Sequence, residues 1–160
     1  MGFWSRFSDR WLGPRIQPPV QGAARATAPA VTVPAQLAGD GSFSLPIVGE
    51  SKYQDALERI CGRRTRAGHD IVTVASLLLE DDNPYDPMAV RVAIQGQTVG
   101  YLTRDKARTY RERLAARGCL QPETTCHARI RGGWYRGAND VGSFGVQLDV
   151  NLSGAPRRKP

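Results

Sequence analysis

Residues 79–102 decide the fold, and they read LEDDNPYDPMAVRVAIQGQTVGYL. Two prolines flank Tyr85 and Asp86, and a residue that precedes proline is pushed out of the α region of backbone conformation. Asn83 and Asp86 both precede proline, so we expect them to be extended or in a turn, where their side chains can hydrogen-bond to the backbone. This pattern predicts a compact polar loop that carries one exposed aromatic ring, Tyr85.

A β-hairpin is expected to follow this loop. Ala89, Val90, Val92 and Ile94 favour a strand, with Arg91 on the opposite face from the two valines. The glycine at the centre of residues 95–97 indicates a tight turn, and residues 99–102 form the returning strand.

The rest of the folded part alternates between strand and helix patterns. Apolar alternation predicts strands over residues 42–49, 70–79, 124–131 and 143–150. Apolar residues at helical spacing predict two helices, over residues 52–61 and 103–117, the second with Thr103 as its N-cap. The fold class is therefore mainly β, of the α+β type.

The loop and hairpin of residues 79–102 resemble the HIRAN domain. That family combines N-P-Y-D with a small and a branched residue that open a strand, then a short turn and V-G-Y/H-L. Here these parts are residues 83–86, Ala89-Val90 and residues 99–102, and the upstream VGESKY of residues 48–53 matches as well. The resemblance extends over residues 43–150. It implies a modified OB-like small β-barrel with two helices, and a non-enzymatic module that captures the 3′-hydroxyl end of single-stranded DNA, or of RNA, in repair or replication.

The resemblance also implies a binding site. In it Tyr85 and Tyr53 stack on the terminal base, Asp86 accepts a hydrogen bond from the terminal hydroxyl, and Asn83 contacts a base edge. An ionised carboxylate at Asp86 would also repel a continuing phosphate, so it favours an end over a mid-strand position. The candidate phosphate-holding residues are Arg104, Lys52 and Arg136.

Two of the candidate positions depart from the best-studied members of the family. Lys52 stands where those proteins have an aromatic residue, and Tyr101 where they have histidine. These departures weaken the case for a base held between two rings, and they leave the carboxylate that would recognise the end intact. An alternative interpretation is that N-P-Y-D only builds the loop, with Asn83 and Asp86 capping turns and Tyr85 packing on the barrel.

Composition divides the chain into four segments, the third of which is named after the resemblance. Residues 1–13 form an amphipathic N-terminal segment, residues 14–40 a disordered linker rich in Ala and Pro, residues 41–150 the HIRAN-like domain, and residues 151–160 a basic tail. The first segment predicts a short helix that docks on a partner protein, on a membrane surface or back on its own barrel. Its aromatic residues are Phe3, Trp4, Phe7 and Trp11.

Charge and hydropathy limit the function classes. The net charge is +7, of which residues 1–40 carry +2 and residues 151–160 carry +3, so the folded part retains +2. This balance suggests a polyanionic partner without a wide positive face. No apolar run approaches the roughly 18 residues of a membrane span, and no secretory signal begins the chain, so we expect a cytoplasmic protein with no transmembrane segment.

Enzymatic chemistry is not expected. Cys61, Cys119 and Cys126 lack paired zinc-ligand spacing and are interpreted as free thiols, and no cofactor motif is present. The main alternative function is a protein-interaction adaptor that docks a larger DNA-processing enzyme through the N-terminal aromatic helix. A metal-dependent hydrolase is least favoured, because the four carboxylates Glu80, Asp81, Asp82 and Asp86 lack the glycine of a calcium loop and lie among prolines.

Overall fold

The computed structural model describes residues 34–118 and 123–152. The predicted N-terminal helix of residues 1–13 lies outside the described residues, as do residues 14–33 of the predicted linker and residues 153–160 of the basic tail.

The described residues form one curled sheet of seven strands. Its order is β2-β7-β6-β3-β4-β5, with β1 beside β6. Neighbouring strands are antiparallel, except that β1 runs parallel to β6. The strands are β1 (Ala35–Gln36), β2 (Leu45–Pro46), β3 (His69–Leu79), β4 (Val90–Ile94), β5 (Gln97–Tyr101), β6 (Glu123–Gly132) and β7 (Phe144–Leu148).

A short stretch after β2 links the two edges of this sheet. Ile47 donates its N–H to the oxygen of Val146 in β7, and Val48 exchanges two backbone hydrogen bonds, of 2.8 and 2.9 Å, with Tyr101 in β5. Gly100 permits this approach, because a Cβ there would lie 2.7 Å from the oxygen of Val48. The sheet therefore curls into a half-barrel, which with two helices confirms the predicted mainly β, barrel-like α+β fold.

The two helices are α1 (Gln54–Cys61), preceded by a 3-10 turn (Glu50–Lys52), and α2 (Arg104–Ala116). Helix α1 buries Ala56 and Leu57, and α2 buries Ala107, Tyr110 and Leu114. Thr103 is the N-cap residue of α2 as predicted, although its side chain makes no capping hydrogen bond.

None of the helices in the described part of the chain is long and apolar enough to cross a membrane.

The predicted hairpin is formed by β4 and β5. Gln95 and Gly96 have φ of 50° and 75°, and positive φ at both central residues is what a two-residue type I′ hairpin turn requires. Val90 and Val92 are fully buried while Arg91 is partly exposed, which confirms the predicted faces of β4.

The sequence-based boundary near Gly41 is too late. Gln36 lies in β1, and Leu37 donates its N–H to the oxygen of Thr125 at 2.7 Å. The buried carboxylate of Asp149 accepts hydrogen bonds from the N–H groups of Asp40 and Gly41. These backbone contacts order residues 34–40, which we had assigned to the linker from their composition.

The strand predicted over residues 42–49 is also shorter than expected, because Phe43 has φ of 47° and only Leu45–Pro46 forms β2.

Candidate nucleic-acid interface

The loop that follows β3 is built by the side chain of Asn83. Its Oδ1 accepts hydrogen bonds from the N–H groups of Tyr85 at 2.9 Å and Asp86 at 3.2 Å. Its Nδ2 donates to Oε2 of Glu80 at 2.8 Å. Its oxygen already accepts two hydrogen bonds and one amide proton is used, so Asn83 has one amide proton left to donate to a base edge.

Asp86 closes the second half of the loop. Its Oδ1 accepts the N–H of Met88 at 2.9 Å, and its backbone oxygen accepts the N–H of Ala89 at 2.9 Å. Asn83 and Asp86 thus do cap turns, as the alternative interpretation of N-P-Y-D required. The cap occupies one carboxylate oxygen of Asp86, and its Oδ2 lies 3.6 Å from Nε of Arg104.

Two arginines fasten this loop to the barrel. Arg111 of α2 donates to the backbone oxygens of Met88 and Ala89, and also to the carboxylate of Asp81. Arg91 of β4 donates from Nε to Oε1 of Glu80 at 2.6 Å. Glu80 and Asp81 are therefore committed to ion pairs that hold the loop.

The loop forms one wall of an open groove of about 410 Å³. Six of the eight predicted site residues line it. An adjoining hollow of about 250 Å³, lined by Tyr85, Asp86 and Arg108 among others, adds Arg104 as the seventh. The six in the groove are Lys52, Tyr53, Asn83, Tyr85, Asp86 and Tyr101.

The aromatic residues of the groove differ in exposure. Tyr85 is 90% exposed, so its ring is open to a stacking partner. Tyr53 and Tyr101 contact each other instead, with ring centroids 6.5 Å apart and a tilt of 46°. Burial, the hydrogen bond with Tyr53 and the negative charge of Glu80 raise the pKa of Tyr101 to about 12.

Charge in the groove is mixed. Lys52 is exposed, and the Arg104 side chain is 80% exposed, so both cations can reorient toward a ligand. The Asp86 side chain is 25% exposed, and it lines both the groove and the adjoining hollow. The site therefore offers a flat ring, a fixed carboxylate and two adaptable cations. Together these groups can contact a flat ring, a hydrogen-bond donor and an anion of one ligand.

Arg136 does not belong to this site. It lies in the loop between β6 and β7. That loop follows Gly132, which pairs with His69 at the start of β3. The loop that carries Asn83 (residues 80–89, the Asn83 loop) follows the other end of β3. The two positions are separated by an 11-residue strand, on the order of 35 Å measured along the chain. Arg136 donates to the oxygen of Arg66 and lies 3.8 Å from the carboxylate of Asp140.

Arg111, which holds the loop of the candidate site, is not singled out by any of the sequence patterns above. A signal was available: Arg111 comes four residues after Ala107 and one after Tyr110, both buried, so it lies at the edge of the buried stripe. A long cation at that edge can lay its stem on the core and reach a neighbouring loop.

In residues 34–118 and 123–152, no group of three or more His, Cys, Asp and Glu side chains could hold a metal ion. Burial raises the pKa of Cys61 and, together with the charge of Asp149, raises that of Cys126 to about 12, so both are poor nucleophiles.

When the chain is compared with protein-family profiles, with curated proteins and with solved structures, none of the three comparisons finds a match. The HIRAN resemblance therefore stays a hypothesis that rests on the motif residues.

Proposed function

We propose that this chain is a non-enzymatic nucleic-acid-binding module of HIRAN-like, modified OB-like type, and that its groove captures the 3′-hydroxyl end of single-stranded DNA in repair or replication. The observation that carries the proposal is the fixed carboxylate of Asp86 between the exposed ring of Tyr85 and the guanidinium of Arg104.

The carboxylate provides the preference for an end. Because Met88 N–H fixes Oδ1 of Asp86, the Oδ2 atom is held in a constant direction and is the one available to a ligand. A sugar hydroxyl can donate to it in a charge-assisted hydrogen bond, worth roughly 1.5–3 kcal/mol. A phosphodiester at the same place has no proton to donate and is negatively charged, so it is repelled.

The ring of Tyr85 provides affinity without reading sequence. A nucleobase that stacks on an aromatic side chain gains about 1–3 kcal/mol, and every base has a face that can stack. The backbone N–H of Tyr85 is bound to Asn83, so the ring is mounted on a loop that needs little ordering on binding.

Arg104 and Lys52 supply the phosphate contacts. The ion pair between Arg104 and Asp86 is long, at 3.6 Å, and the arginine is largely exposed, so little free energy is lost when the guanidinium turns to a phosphate. Lys52 lines the groove and Arg104 lines the adjoining hollow, so the two cations lie on either side of Asp86, which lines both.

The proposal is tested by a fluorescence anisotropy titration with two labelled strands that differ only in a 3′-hydroxyl or a 3′-phosphate. The wild type should prefer the hydroxyl by at least about tenfold, which corresponds to 1.4 kcal/mol. Asp86→Asn should narrow the preference mainly by improving binding of the phosphate strand. Tyr85→Ala should weaken binding of both strands by the same factor, because stacking does not depend on the terminal group.

Asp105→Asn is the matched control, since it removes the same charge from an exposed position in the first turn of α2. It should leave the preference unchanged. Equal affinity of the wild type for both ends would refute end recognition, and a matched RNA strand decides between DNA and RNA. If the full chain binds neither nucleic acid, the adaptor function through Phe3, Trp4, Phe7 and Trp11 takes its place.

A further inference from the structure

A second surface that combines exposed arginines with an aromatic ring lies beyond the start of β3. It consists of two loops, residues 62–68 and residues 133–142, which we call the basic platform. Thr65 joins them, since its N–H donates to Gly133 and its oxygen accepts the N–H of Tyr135 at 2.9 Å. The second loop is closed on itself by a hydrogen bond from Gly142 to Trp134. The two loops therefore present their side chains from one connected framework.

The basic platform has more positive charge than its own acidic groups neutralise. It carries four arginines against one acid, Asp140. Arg64 is paired with Glu58, and Asp140 lies 3.8 Å from Arg136 while it accepts a hydrogen bond from Trp134.

Two of the four arginines have no partner of their own. Within the described residues, the exposed side chains of Arg63 and Arg66 make no hydrogen bond and no ion pair. Their charges are therefore available to a ligand.

An exposed ring accompanies these cations. Tyr135 is 53% exposed, and the neighbouring Arg136 guanidinium lies 5.8 Å from the centroid of the Trp134 ring. Unpaired guanidinium groups beside an accessible ring match single-stranded nucleic acid, in which phosphates alternate with flat bases. An acidic peptide would use the cations and leave the ring of Tyr135 without a partner.

Helix α1 connects the basic platform to the groove. Its N-cap residue is Tyr53, which lines the groove, and Arg63 follows shortly after its last residue, Cys61. A helix of 8 residues is about 12 Å long, so the edge of the groove at Tyr53 and the edge of the platform at Arg63 are a few nucleotides apart, whereas Asp86 and Arg136 are separated by the length of β3. Gln54 exchanges hydrogen bonds with the backbone of Phe144, and this contact ties α1 to β7 beside the platform.

We infer that the basic platform is a second contact surface for the same strand, and that it binds phosphates and a base several nucleotides to the 5′ side of the end held in the groove. This inference rests on the proposed function for the position of the strand end. It assigns Arg136 a role at the platform, away from Asp86. The combined footprint falls within the roughly 4–16 nucleotides that an OB fold covers.

The test compares a short strand of about 3 nucleotides, below the roughly 4–16 nucleotides that an OB fold covers, with a long strand of about 12 nucleotides, within that range. The variant is the double substitution Arg63→Ala and Arg66→Ala in the full chain. It should bind the long strand about tenfold more weakly, with a log–log salt slope shallower by about 1.4, because each lost phosphate contact on a single strand accounts for about 0.7. Binding of the short strand should not change.

Lys106→Ala with Arg117→Ala is the matched control, because it removes the same charge from exposed positions on and just after α2. It should leave the affinity for each strand within about twofold of the wild-type value, since charges more than about 8 Å from the strand are screened at physiological ionic strength. Tyr135→Ala should weaken binding of the long strand, and Tyr135→Phe, which keeps the ring, should not. Thermal unfolding of each variant establishes that it is folded.

The two proposals fail in different ways. If the long strand keeps its affinity and salt slope in the arginine variant, or if the control lowers both equally, the platform does not contact the strand and the inference is overturned. If an acidic peptide of matched charge competes as well as the long strand, the nucleic-acid assignment is overturned. If 3′-hydroxyl and 3′-phosphate strands bind equally but still depend on Arg63 and Arg66, the groove proposal fails and the platform remains.

Discussion

Removal of the Arg111 side chain should loosen the Asn83 loop and lower the stability of the whole domain. Only 13% of this side chain is exposed, and its guanidinium donates to the oxygen of Met88 at 2.9 Å and to that of Ala89 at 3.0 Å. It also donates to the carboxylate of Asp81 at 2.6 Å. Arg111→Ala deletes these contacts together.

The magnitude follows from the exposure of each acceptor. The two bonds to backbone oxygens come from a charged donor at a mostly buried site, and together they are worth about 2–3 kcal/mol. Asp81 is 75% exposed, so its ion pair adds at most about 1 kcal/mol. The free energy of unfolding should therefore fall by about 3 kcal/mol. Arg111→Lys should lose about half of this, because an ammonium group cannot reproduce the fork of donors.

The assay is equilibrium unfolding in urea, with an unchanged m-value as the sign that only stability has changed. Arg108→Ala is the control, since Arg108 is exposed on the same helix and its removal should cost less than about 0.5 kcal/mol. Equal midpoints for Arg111→Ala and Arg108→Ala would refute the argument that this arginine holds the loop in place.

Three further predictions concern the core, the entry of the chain into the sheet and the groove. Val90→Asp should prevent folding, because it buries an unpaired charge at a fully buried position, whereas Val72→Asp, at a position 57% exposed, should give a cooperative thermal transition. Asp149→Ala should lower the free energy of unfolding by about 2–3 kcal/mol and accelerate hydrogen exchange at Gly41, because the Gly41 N–H loses its acceptor. Protection of Gly41 as strong as in the wild type would contradict this. Tyr101 should ionise near pH 12 in the folded chain, above its usual 10.0, so the stability linked to its neutral form is intact below pH 10 and is lost between pH 10 and 12; absorbance titration of the wild type and of Tyr101→Phe tests this.

The elements that the sequence predicted well are those whose faces differ in polarity. In β4, Val90 and Val92 alternate with Arg91, and burial of one face leaves little choice of register. The Asn83 loop was predictable for another reason, because proline restricts the residue before it whatever the surrounding fold.

What the sequence did not predict depends on partners that are distant along the chain. Residues 34–40 are held by β6 and by the carboxylate of Asp149, and neither contact leaves an apolar pattern in those residues. The position of Arg136 depends on which strand pairs with β3. Ten residues of β6 pair with it in antiparallel register, from His69 with Gly132 to Leu78 with Glu123, and this pairing sends the β6–β7 loop away from Asp86.

The hydrogen bonds inside the loop bear on what the groove can recognise. Asn83 spends its oxygen on two backbone N–H groups and one amide proton on Glu80, so the residue best suited to read a base edge serves as loop scaffold. The groups that remain accessible are the exposed cations Lys52 and Arg104, the ring of Tyr85, which can stack on any base, and the outer oxygen of Asp86, which can accept from a sugar hydroxyl. We therefore expect the proposed binding to distinguish a strand end from an interior position far better than one base from another. If the proposed function holds, the hydrogen bonds that hold the Asp86 carboxylate in one direction for end recognition belong to the same loop network that occupies most of the Asn83 amide and so limits base reading.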